Sequence, residues 1–119
     1  MDEHTVAYQD FAGSGAETIA HLRENGRMVI MFCAFEGPPQ ILRLHGRGDV
    51  VYRSSDEFTK LSACFPEAQG VRAIIRLHIQ RVADSCGYAV PLMDFRADRR
   101  VLNDWVERKG PEAIDAYIL

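Results

Sequence analysis

The longest unbroken apolar stretch of the chain, MVIMFCAF at residues 28–35, sets the frame for its surroundings. Eight residues are too few to cross a bilayer, and the run is rich in β-branched and aromatic side chains, so the pattern predicts a strand covered on both faces. Just upstream the periodicity is helical. Ser14 stands as a preferred N-cap with Glu17 three residues on, a capping box, and Ala16, Ile19, Ala20 and Leu22 share one half of the helix. Asn25 and Gly26 supply a left-handed exit. A shorter apolar run at residues 5–8 predicts a first strand.

After residue 35 the sequence Glu36-Gly37-Pro38-Pro39 cannot continue a ladder, which predicts a hairpin. Its return strand, residues 40–52, alternates, with Leu42 and Leu44 on one face and Arg43, His45 and Arg47 on the other. Gly46 and Gly48 flank Arg47 and mark a bulge or sharp bend. Residues 56–65 read as a helix capped by Ser54 or Ser55, with Phe58, Leu61 and Phe65 inward. Residues 73–83 alternate again, Ile75, Leu77 and Ile79 against Arg76, His78 and Gln80. Asp98 is placed to cap a helix with Val101, Leu102, Trp105 and Val106 on its apolar side. Gly110 ends that helix, and Pro111 begins a last short one with Ile114, Tyr117 and Ile118 buried. The predicted class is α+β: an antiparallel sheet curled toward a small barrel, helices packed outside. Four strands are few for closure, so either the sheet stays open with the 5–8 strand as an edge, or a second subunit covers it.

At 119 residues, 47% hydrophobic and 26% charged, the composition fits one ordinary globular domain. The net charge of −3 gives no global attraction to nucleic acid or anionic membrane, so any anion site must be local. Cys33, Cys64 and Cys86 are odd in number and widely spaced, which argues against a disulfide framework or a zinc knuckle. With no signal peptide, membrane span or lipidation motif, the expected location is the cytoplasm.

AGSGAETIAHLRENGRMVIMFCAFEGPP, then ILRLHGRG, RVADSCGYAVPLM and the terminal WVERKGPEAIDAY occur in an order that resembles the pyridoxamine 5'-phosphate oxidase-related family of FMN-binding split barrels. The resemblance covers nearly the whole chain. It implies a homodimer of split β-barrels with FMN in clefts between the subunits, and a flavin-dependent oxidoreductase acting on a small molecule. The alternative is a truncated, non-catalytic dimerising or ligand-binding barrel that no longer holds flavin. Two departures favour the alternative. The helix and strands that usually precede the point matching Met1 are absent, marking an N-terminally shortened member. Where catalytic members carry an arginine-lysine pair for the phosphate, this chain has Glu17 and Thr18, and a carboxylate there occupies the end of the helix dipole that a phosphate would want.

Against that background the candidate cofactor contacts are Gly13, Ser14, Gly15 and Thr18 at the helix start, and Arg43 and Arg47 on the return strand. The first group is either an anion cradle of free amides and hydroxyls or a capped helix and nothing more. The arginines either bind phosphate through bidentate guanidinium contacts or form the solvated side of the sheet, with the neighbouring glycines making room beside them. Cys86, between Ser85 and Gly87, is a reactive thiol or a small residue at a tight turn. No acid-base or nucleophile constellation stands out and no metal site is expected. The last helix pair does not read DNA, because residues 111–119 carry no basic side chain.

Overall fold

Two long central strands carry this fold, and their hydrophobic alternation is what places them at the centre. The computed structural model describes residues 2–118. The elements run β1 (Thr5–Phe11), α1 (Glu17–Glu24), β2 (Arg27–Cys33), β3 (Ile41–Tyr52), α2 (Asp56–Ser62), β4 (Val71–Ser85) and α3 (Val101–Ile118). The sheet is antiparallel throughout, in the order β1-β4-β3-β2, and forms a curled half-barrel with helices outside. This is the expected α+β split-barrel architecture in partial form.

Burial concentrates in β4. Ala73, Ile74, Ile75 and Leu77 are all at most 1% exposed, so this strand is covered on both faces at its centre. On one face Leu22 of α1 packs over Gly48; a Cβ there would lie 2.8 Å from Leu22 Cδ2 and 2.9 Å from Met28 Sδ. Glycine is thus what lets α1 sit close to the sheet. At the β1 end of the sheet, α3 buries Val106 and Ile114 with Ala12. Gly110, at φ 80°, breaks α3 before Pro111 into the two helices that the sequence predicts.

Several expectations change. The eight-residue apolar run is not covered on both faces. Among the described residues β2 is an edge strand paired only with β3, and Val29, Met31 and Phe32 are each about half exposed, because the four-stranded sheet has no further strand to continue past it. The capping box does not form either: α1 begins at Glu17 behind Ala16, with no side-chain cap. Of the predicted apolar half of that helix, Leu22 is buried and Ile19 partly so, while Ala16 and Ala20 face solvent. Leu102 and especially Val101 are exposed rather than inward. The bulge near Gly46 is present, but the extra residue lies on β4, where Gln80 is skipped between the pairs His45↔Arg81 and Gly46↔Ile79. A Cβ on Gly46 would run into the His78 carbonyl, so the glycine accommodates the pinch opposite the bulge. Ser55 caps α2 as read from the sequence, accepting from Phe58 N at 3.2 Å.

Candidate functional site

The segment before α1 is held by a side chain from across the sheet. Arg72 of β4 donates from Nε to Asp10 Oδ2 at 2.8 Å, from Nη1 to Gly13 O at 3.3 Å and from Nη2 to Gly15 O at 2.6 Å. The Arg72–Asp10 pair is the most enclosed ion pair among the described residues, its side chains 12% and 20% exposed. The carbonyls of Gly13 and Gly15 are therefore committed to a guanidinium. Ser14 is exposed and Glu17 opens the first turn. Sequence reasoning missed Arg72; its one signal was a charged residue beside the buried run of β4.

Thr18, in the first turn of α1, borders a groove of about 480 Å³ between the helix and β2, where Tyr8, Met28, Ile30 and Met31 supply an apolar wall. Burial pushes the Tyr8 phenol above its ordinary value, with Asp10 adding to the shift. Adjoining it, where the last turn of α1 meets β2 and the bulge, is a second groove of about 550 Å³ with a different lining: His21, Asn25, Arg27, His45, Arg47 and Gln80. The two share His21, Arg27, Met28 and Val29, so one side of the molecule carries an apolar trough that turns cationic at one end.

Arg43 and Arg47 are on the sheet face that the alternation predicts. Pairing places Arg27 opposite Arg47 and Arg47 opposite His78, then His45 opposite Arg81, then Arg43 opposite Ala83. The bulge removes Gln80 from the row and brings in Arg81. Arg43 donates to Ser85 Oγ at 3.0 Å, and Arg47 donates to the Asn25 carbonyl at 3.3 Å. Asp49, the carboxylate farther along this face, is taken. Arg76 grips it twice, Nη2 to Oδ2 at 2.6 Å and Nε to Oδ1 at 3.0 Å, while its Nη1 reaches Glu57 of α2 at 3.0 Å. His78 Nε2 is 3.5 Å from Asp49. The Arg76 hydrogen bonds hold the Asp49 carboxyl below its ordinary range, and Asp49 in turn raises the Arg76 guanidinium.

The six sequence-derived candidates therefore do not converge within one chain. Gly13, Ser14, Gly15 and Thr18 stand at the first turn of α1, Arg47 is bonded at its last, and Arg43 lies four residues further along β3, about 13 Å away at strand spacing. Cys86 is exposed beside Gly87, whose φ of 65° and closeness to the Gln40 backbone define the turn. Among the described residues no three His, Cys, Asp or Glu side chains gather as metal ligands, and no helix is long and apolar enough to cross a membrane. Beyond this turn an irregular, exposed segment carries Tyr88, Leu92, Met93 and Phe95, tied to the hairpin tip by Met93 N donating to Phe35 O at 2.9 Å.

No family model matches the chain, and no solved structure matches it. Among curated proteins, the pyridoxamine 5'-phosphate oxidase family protein ustO of Aspergillus flavus is 44% identical over 99 residues, a match covering 78% of this chain and 38% of that protein. The chain thus spans well under half the length of the relative it matches. Identity at that level over most of the chain, on a curled antiparallel half-barrel, means that the chain belongs to the pyridoxamine 5'-phosphate oxidase family.

Proposed function

We propose that the protein binds FMN in a cleft completed by a second copy of the chain and acts as a flavin-dependent oxidoreductase on a small molecule. The carrying observation is the trough along α1 and β2, apolar beside Thr18 and Tyr8 and cationic beside Arg47, which offers a flat ring and a phosphate their separate surroundings. The uncovered apolar side chains of β2 and of residues 88–95 favour a partner subunit. Gly13, Ser14, Gly15, Thr18, Arg43 and Arg47 are the proposed contacts. Bound flavin would supply the redox chemistry; the chain's task is to position it and shield it from water.

Titrating FMN into the purified protein tests this. Saturable quenching of flavin fluorescence, with a dimer mass by light scattering, is the expected result. A monomer that leaves FMN fluorescence unchanged overturns it. The second reading, a barrel that dimerises without flavin, is favoured by Glu17 at the helix start and by the two carbonyls locked on Arg72. It predicts a colourless dimer indifferent to FMN.

A further inference from the structure

A separate cavity lies on the other face of the sheet from the trough. Side chains alternate along β1, so Tyr8 borders the trough while its neighbour Gln9 lines a pocket of about 430 Å³ between α2, the connection at residues 65–70 and α3. The pocket shares no lining residue with either groove of the trough. Its walls are mainly apolar: Phe58 of α2, Phe65 just beyond it, Val71 at the start of β4, and Val106 and Ile114 of α3. Close-packed interiors rarely leave a void larger than one water, and this volume is that of a small-molecule cleft. The charge of the pocket is opposite to that of the trough. Arg53 is its one cationic side chain, and Arg53 Nη2 is already spent on Asp115 Oδ1 at 2.7 Å. The Ser62 hydroxyl is spent too, donating to Phe58 O at 2.7 Å. That leaves Glu67, which forms no ion pair among the described residues, and the carboxamides of Gln9 and Gln69.

We infer that this pocket is a second small-molecule site, independent of the flavin reading, for an amine with an apolar body, an alkyl or arylalkyl ammonium. The body rests among Phe58, Phe65, Val71 and Val106, and the ammonium meets the Glu67 carboxylate at the exposed rim. Aromatic ring faces on the same wall add to the attraction for a cation. A carboxylic acid of the same shape is disfavoured twice, because it must draw Arg53 away from Asp115 and lie in a pocket that also holds Glu67. Occupancy also bears on α3. Its second half is joined through Gly110, at φ 80° with nothing near a Cβ, and is held by Ile114 in the cluster with Ala12 and Val106 and by the Arg53–Asp115 pair. A ligand touching α2 on one side and Ile114 on the other ties that helix to the domain. Trp105, the chain's single tryptophan, packs on the same cluster and meets Tyr117 edge-on at 5.2 Å, so it reports on the event.

The test titrates 2-phenylethylamine into the full chain near pH 7, read by Trp105 emission and by calorimetry. The comparison probes are 3-phenylpropionate, a similar body with the opposite charge, and 2-phenylethanol, which is neutral. Saturable binding of the amine, about tenfold tighter than that of the acid, is expected. Glu67→Gln should weaken the amine about tenfold, the worth of roughly one charge-assisted hydrogen bond, and leave the alcohol unchanged. Glu67 is exposed, so its replacement spares the fold, which circular dichroism melts check. Glu107→Gln, a carboxylate of α3 that lines the adjoining groove but not this pocket, should change nothing. No saturable amine binding by the native chain overturns the site. Acid binding as tight as amine binding, or equal weakening by Glu67→Gln and Glu107→Gln, overturns the amine assignment. Prior loading with FMN should leave the amine affinity unchanged, and displacement by FMN would overturn the separation of the two sites. Amine binding by a protein that ignores FMN supports this site while removing the flavin reading, so the two fail separately.

Discussion

Gly87 concentrates two constraints in one residue. Its φ of 65° is left-handed, and a Cβ would lie 2.7 Å from both N and C of Gln40, backbone atoms that cannot swing aside. Gly87→Ala is expected to cost about 1–3 kcal/mol in denaturant unfolding, whereas Gly13→Ala, where a Cβ meets nothing within 4 Å, should be close to neutral. At Asp49 the expected effect depends on pH. Its carboxyl is held below the free value of 3.8, chiefly by the Arg76 hydrogen bonds, so the folded state prefers the ionised form. That contribution is complete above the free value and is lost as pH falls through the lower, folded one. Because the Asp49 side chain is 45% exposed, solvent screening reduces the pair's worth to about 1 kcal/mol. Asp49→Asn should lower stability by that amount at pH 7 and flatten the acid limb of a stability-against-pH curve; an unchanged acid limb would assign the acid sensitivity to other carboxylates.

At the scale of elements, most of the order was legible. Periodicity and turn chemistry placed all four strands, the hairpin, the Ser55 cap and the break at Gly110, because those signals are local. What was not legible came from contacts distant in sequence. Ser14 has the right spacing to cap α1, yet Arg72, 57 residues beyond Gly15, draws the preceding carbonyls toward the sheet and the helix starts later. Gly46 and Gly48 announced a bulge without revealing that the surplus residue is Gln80 on the partner strand, and that one-residue offset decided that Arg81, not Gln80, joins the cation row. The first group of candidate contacts was readable as a helix start, but its separation from Arg43 and Arg47 depends on the sheet register. Arg72→Ala should release this tip: hydrogen exchange at residues 13–18 is expected to accelerate well beyond that of β4, and uniform exchange across both would show that the guanidinium supports the whole sheet instead.

For the whole molecule, the apolar edge is the dominant fact. Val29, Met31 and Phe32 face outward on a border strand whose outer backbone groups have no neighbour in the described sheet, and natural edges of this kind are usually blunted by charge or covered. If a second copy covers β2, Phe32→Lys should convert a dimer to a monomer by light scattering with little change in circular dichroism. A persisting dimer would move the contact to the 88–95 segment.

The uncovered border strand also bears on how sturdiness would be measured. If the proposed second copy shelters that oily surface, the protein has no single melting point; the midpoint should climb as more protein is loaded into the cell and sink on dilution, by mass action alone, and a midpoint independent of loading would argue against the pairing. Thermal scans across a hundredfold range of loading would therefore read the strength of the pairing directly, without any ligand.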